Sequence, residues 1–164
     1  MGLLHSKTDQ KGQNTVYIVY TYDSTYRRLQ KIDKYPGATW NPADACQEVN
    51  FHWDNSPWSN FSAGAARRVA AVQYRGKNCS AVGGNSYKEE FAYTNYGSPS
   101  GKQLTVTKKL AGGTDASASM QALWTYDSEG RPRNVQYPLT GTTYQYSQEI
   151  QDLGTDTGMW WAIQ

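Results

Sequence analysis

The chain has 164 residues, within the range of one domain. Its 16 basic and 14 acidic groups give a net charge of +2, a balance that does not call for nucleic acid or an anionic membrane as partner. No apolar run reaches the 18 residues of a membrane-spanning helix, and thirteen Tyr, six Trp and three Phe weigh against disorder and towards strands.

Read in chain order, one unit keeps returning: an aromatic strand, a turn opened by Asp or Asn and closed near Gly, then a second strand. Asp9 and Gly12 open the series, before Val16, Ile18, Tyr20 and Tyr22, which share one face by period two. Asp23 follows Tyr22, and the return strand runs to Tyr35 and Pro36. An insertion is expected at residues 37–45. Phe51 and Trp53 lead into Asp54 and a second insertion, 55–64. Alanines in Ala63–Val72 could form a short helix, but alternation of Val72 and Tyr74 favours a strand from Arg68 to Tyr74.

A third insertion is expected at 76–86. Phe91 and Tyr93 precede a turn placed at Asn95 and Gly97. Leu104 and Val106 alternate, and a fourth insertion is expected at 111–119. The clearest unit has Tyr126, Asp127, Gly130 and Val135, and the weakest is centred on Asp152. An Asp side chain can bond its own backbone two residues on, and Gly tolerates the positive φ that closes such a turn. Successive hairpins predict an all-β antiparallel meander over 1–164, a single domain of about six units with few or no helices.

Chemistry-bearing residues are sparse. The two histidines, His5 and His52, exclude a multi-histidine metal site, and neither phosphate loops nor dinucleotide fingerprints occur. No metal or cofactor is expected. The candidate catalytic pair is His52 with Asp54, placed by period two on one face of a strand, with Cys46 as a nucleophile nearby. The alternative is an exposed His beside a turn-capping Asp. Glu89 and Glu90 point to opposite faces, and Glu90 is expected to be solvated. The aromatic residues could form a carbohydrate or peptide platform, or pair across strands.

If Phe51 is paired with Tyr74 across the hairpin around residues 55–64, an unbulged ladder places Trp53 opposite Val72 and Cys46 opposite Cys79, since each pair sums to 125. Opposed Cα atoms about 4.5 Å apart lie within disulfide reach, so a Cys46–Cys79 bond is a hypothesis; two separate thiols are the alternative.

The unit resembles that of the RHS/YD-repeat family, Tyr-x-Tyr-Asp-x-x-Gly-Arg-Leu-x-x-Val. Thr125-Tyr126-Asp127-Ser128-Glu129-Gly130-Arg131 follows it, with Pro132 in place of Leu. Tyr20-Thr21-Tyr22-Asp23 with Arg28-Leu29 follows it with Gly replaced, and Asp54 with Arg68 to Tyr74 resembles a longer-looped variant. The resemblance implies a β-sheet scaffold, either part of a shell around a toxin or a surface protein. About six units are too few to close a shell.

The expected role is therefore a non-catalytic structural segment. A small hydrolase using His52 and Asp54, or a binding module using exposed aromatics, is the alternative. Open sheet edges predict a homo-oligomer, without nucleic acid or membrane insertion. The resemblance implies a secreted or cell-surface setting, although Met1 to Ser6 lack the apolar centre of a signal peptide.

Overall fold

A computed structural model describes residues 2–11, 14–36, 44–76, 78–138 and 145–149. The strands are β1 (Ser6–Lys11), β2 (Asn14–Tyr22), β3 (Leu29–Pro36), β4 (Val49–Trp53) and β5 (Val69–Arg75), then β6 (Asn85–Tyr93), β7 (Pro99–Lys109), β8 (Asp115–Tyr126), β9 (Pro132–Pro138) and β10 (Gln145–Glu149). They form one antiparallel sheet in which every strand lies beside its sequence neighbours. The protein is all-β, as the alternating pattern predicts, and its one described helical element is the 3-10 turn Ala45–Gln47.

Register separates two faces. On one, Phe51 faces Val72, Val72 faces Glu89, Glu89 faces Leu104 and Leu104 faces Met120. The neighbouring row on that face runs Tyr20, Ile32, Val49, Tyr74, Tyr87 and Val106. The opposite face carries Lys31, Asn50, Gln73, Lys88, Thr105 and Ser119 in one row, and His52, Ala71, Glu90, Gln103 and Gln121 in another.

The core sits on the polar-rich face, because the connection between β4 and β5 folds back over it. Ser62 Oγ donates to the Ala70 carbonyl at 2.8 Å, and the Tyr93 amide donates to the Ala63 carbonyl at 2.8 Å. Ala65, Ala70, Ala71 and Ala92 are buried in this region, and among the described residues no large side chain is fully buried. No other described segment covers the apolar face to a comparable degree: Phe51, Val72, Tyr74, Tyr87, Leu104 and Val106 are all half-buried, and Met120 is exposed.

Several expectations need correction. Asp9 is not a turn residue; it lies inside β1 opposite Val16, and Gly12 falls outside the described residues. So do most of the 37–45 insertion and the Asp152 unit. The 111–119 insertion shrinks to a short turn, since Asp115 already belongs to β8. Gly112 and Gly113, both at positive φ, close that turn tightly.

The β4–β5 register is also two residues off: Phe51 faces Val72, and Val49 faces Tyr74. A bulge between His52 and Trp53 also breaks the assumed unbulged ladder. Cys46 and Cys79 are nevertheless joined in a disulfide, with Cα atoms 5.3 Å apart. They meet beyond the ladder. Cys46 lies in the 3-10 turn, whose start is fixed by the Asp44 carboxylate accepting from the Cys46 amide, and Cys79 lies in the connection after β5.

Candidate functional site

Four turns stand along one end of the sheet, between β2 and β3, β4 and β5, β6 and β7, and β8 and β9. Each begins directly after an aromatic residue at a strand end, Tyr22, Trp53, Tyr93 or Tyr126. The register shifts at each of these four aromatics. Each turn closes through a residue at positive φ: Arg27 (56°), Arg67 (62°), Gly97 (90°) or Gly130 (80°).

The opening residue organises the loop by accepting backbone hydrogen bonds. Asp127 Oδ1 accepts from the amides of Glu129 and Arg131, both at 2.9 Å, and Oδ2 accepts from Arg131 Nε at 2.7 Å. Asp23 accepts from the amides of Thr25, Tyr26 and Arg28 and from Arg28 Nε. Asp54 Oδ1 accepts from the Arg67 amide at 2.6 Å. These bonds favour the charged carboxylates, so Asp23, Asp54 and Asp127 are all held below the ordinary Asp range, chiefly by the amides of Tyr26, Arg67 and Arg131 respectively.

The third turn opens at Thr94, one residue earlier than the Asn95 expected. The Thr94 amide donates to the Ser98 carbonyl, and Thr94 Oγ1 accepts from the Ser98 amide at 3.1 Å. Thr hydroxyls make the same local turn as Asp, more weakly, and the sequence pattern of Asp and Asn hid it.

The four aromatics have a second job that sequence reading missed. Trp53 Nε1 donates to the Leu29 carbonyl at 2.8 Å, Tyr93 Oη to Val69 at 3.0 Å, and Tyr126 Oη to Pro99 at 2.6 Å. Leu29, Val69 and Pro99 are the first residues of β3, β5 and β7. Each aromatic thus latches onto the strand that leaves the preceding turn. Tyr22 does the same to the Leu4 carbonyl at 2.9 Å. The available signal was an aromatic immediately before each of these four turns.

Arginine reinforces two latches. The Arg28 guanidinium lies 5.1 Å from the Trp53 ring centroid and 4.7 Å from that of Tyr26, and Nη1 donates to Asp54 Oδ2 at 2.9 Å. Arg68 lies 5.4 Å from the Tyr93 ring centroid. A cation over an aromatic face contributes roughly 0.5–1 kcal/mol at exposed sites.

The proposed catalytic pair does not form. His52 and Asp54 do not share a face of one strand, because β4 ends at Trp53 and Asp54 turns away at φ 69°. The Asp54 carboxylate is committed to Arg28 and the Arg67 amide. His52 Nε2 is buried without a hydrogen-bond partner, and its ring meets Trp58 edge-on at 4.9 Å. Burial lowers the His52 pKa, which favours the neutral form of the ring. Cys46 is in the disulfide and supplies no thiolate.

Glu90 is not solvated but 2% exposed. Its Oε1 accepts from Ser56 and Ser59 Oγ at 2.5 and 2.7 Å, and Oε2 accepts from Gln103 Nε2 at 3.2 Å. Those serines sit on the β4–β5 connection, so the carboxylate pins it to the sheet. Among the described residues no cluster of three or more His, Cys, Asp or Glu could hold a metal ion. No helix there is long and apolar enough to cross a membrane. In comparisons with known proteins, no family model matches the chain and no curated protein matches it.

Proposed function

We propose that this chain is a non-catalytic structural scaffold, a stretch of YD-type repeat sheet of the kind found in RHS shells and surface proteins. The observation that carries this reading is the repeated latch. Tyr22, Trp53, Tyr93 and Tyr126 each bond a carbonyl at or before the start of the neighbouring hairpin's strand. A sheet stitched in this way grows by adding like units, each held mainly by its neighbour.

Two further features fit. The apolar face formed by Phe51, Val72, Leu104 and their neighbours is uncovered by other described segments, which suits a wall that packs against something else. The Cys46–Cys79 disulfide suits an oxidising, extracytoplasmic setting.

The scaffold reading includes self-association through sheet edges or the apolar face. Sedimentation equilibrium is expected to give a dimer or larger species, and a monomer persisting at high micromolar concentration would overturn that part. The hydrolase alternative is tested with ester, phosphate and glycoside panels. His52→Ala is expected to leave any detected turnover unchanged. A loss of about a hundredfold, the scale for removing a general base, would overturn the non-catalytic reading.

A further inference from the structure

Successive turns leave a groove between them, and the repeat makes two of these grooves comparable position by position. The groove between the first and second turns is lined by Asp23, Arg28, Phe51, His52, Trp53 and Asn55 and has a volume of about 370 Å³. The groove between the third and fourth turns is lined at the matching positions by Thr94, Ser98, Trp124, Thr125, Tyr126 and Ser128, and its volume is about 920 Å³. The main chemical difference is Ser98, which stands where the first turn has Arg28, the second Arg68 and the fourth Arg131.

The first groove shows what normally fills the space. Arg28 is sandwiched between Tyr26, two residues before it, and Trp53, the aromatic that opens the next turn. It also bonds Asp54, the first residue of that next turn. In the larger groove both aromatic walls of this sandwich are present, while the matching carboxylate, Asp127, already accepts from Arg131 Nε through Oδ2. Tyr96 stands two residues before Ser98 and is 96% exposed. Tyr126 opens the next turn, and Asp127 is its first residue. Asp127 and Glu129 both pair with Arg131, so this turn carries two negative charges against one positive.

We infer that this groove is a recognition site for an arginine side chain presented by a peptide segment of another protein. The guanidinium stacks between Tyr96 and Tyr126 and bonds the Glu129 carboxylate, of which only Oε2 is engaged by Arg131. It takes the place that Arg28 holds in its own repeat. A planar guanidinium meets both demands, stacking and bonding a carboxylate, whereas an ammonium meets them less well. The vacant position is that of a side chain, and the groove opens to solvent, so the cation enters on a chain from outside. This inference is independent of the scaffold reading.

The test is a titration of the full chain with N-acetyl-arginine amide, followed by backbone amide and indole shifts in NMR spectra. N-acetyl-citrulline amide is the uncharged isostere, and N-acetyl-lysine amide is the ammonium control. Saturable shifts confined to Tyr96, Trp124, Tyr126 and their turn neighbours are expected in the millimolar range, where a single-anchor ligand binds. Citrulline is expected to bind at least about tenfold more weakly, with lysine in between.

Ser98→Arg supplies the missing side chain from within and is expected to abolish binding while leaving the spectrum of the sheet intact. Tyr96→Ala, at a fully solvated ring, is expected to weaken binding about tenfold without affecting folding. No saturable shift by about 50 mM, equal binding of citrulline, or undiminished binding by the Ser98→Arg variant would each overturn the proposal. Shifts at these residues that grow with protein concentration alone and vanish in Ser98→Arg would assign the groove to a second copy of this chain and overturn the foreign-peptide occupant.

Discussion

Gly64→Ala tests how the β4–β5 connection is held to the sheet. Gly64 sits at φ +68°, and a Cβ placed there would lie 2.3 Å from the Tyr93 carbonyl oxygen and 3.0 Å from its carbon. A normal C···O approach is about 3.3 Å, so the connection and the end of β6 must part by about 1 Å. The obstacle is backbone, not a side chain that can swing aside. Next to it the Tyr93 amide donates to the Ala63 carbonyl at 2.8 Å, and an added 1 Å would take that bond outside hydrogen-bonding range. Losing it costs about 1 kcal/mol, and the left-handed conformation costs an alanine about 1–2 kcal/mol more.

Partial exposure of Ala65, Ala70 and Ala92 adds to this, giving about 3–4 kcal/mol in all. With a urea m-value of about 2 kcal/mol/M, the unfolding midpoint should fall by about 1.5–2 M. Gly112→Ala is the control. Gly112 has φ +91° with nothing within 4 Å of its Cβ position, so only the backbone cost of about 1–2 kcal/mol applies. Equal midpoint losses in the two variants would refute the idea that contact with the Tyr93 backbone fixes this connection.

Reducing the Cys46–Cys79 disulfide releases a loop with a sequence separation of 33 residues, which should cost about 3–4 kcal/mol. The urea midpoint should fall with reductant in the natural chain and be insensitive to it in a Cys46→Ala/Cys79→Ala variant. Burial depresses the His52 pKa in the folded state, so below about pH 6.5 the unfolded chain takes up a proton that the native ring resists. Stability should therefore fall as pH drops from 7 to 5, and His52→Phe should flatten that slope in urea midpoints; an unchanged slope would show that His52 is not its source. Trp53→Phe keeps a ring but removes the Nε1 bond to Leu29, and Tyr93→Phe removes the Oη bond to Val69. Each should lose about 1 kcal/mol in equilibrium unfolding, and no loss in either would remove the latch as a stabilising element.

The strands and their order were legible because both are local consequences of the chain. Alternation at Ile18–Tyr20, Phe51–Trp53 and Leu104–Val106 fixes which side chains share a face, and the turns after Tyr22 and Tyr126 carry an Asp that folds the backbone onto itself. Turns that depart from that chemistry were misplaced. Asp9 is simply a strand residue, and Thr94 performs the work expected of Asn95. Register was beyond reach between β4 and β5: the ladder is two residues off already at Phe51/Val72, and the bulge at His52/Trp53 adds one more, without any mark in the composition.

Tertiary structure alone decided the roles of Glu90 and His52. The connection after β4 doubles back over one face, burying a carboxylate expected in solvent and separating an imidazole from the Asp54 expected to serve it. It also decided the groove between the third and fourth turns. Ser98 stands out only when the sheet stacks its turn beside three others and shows an arginine, Arg28, Arg68 or Arg131, at the matching place in each of them. Local sequence specifies each hairpin, but the spacing between hairpins is set by the ladder and the latches. Contacts between units therefore depend on atoms far apart in the chain.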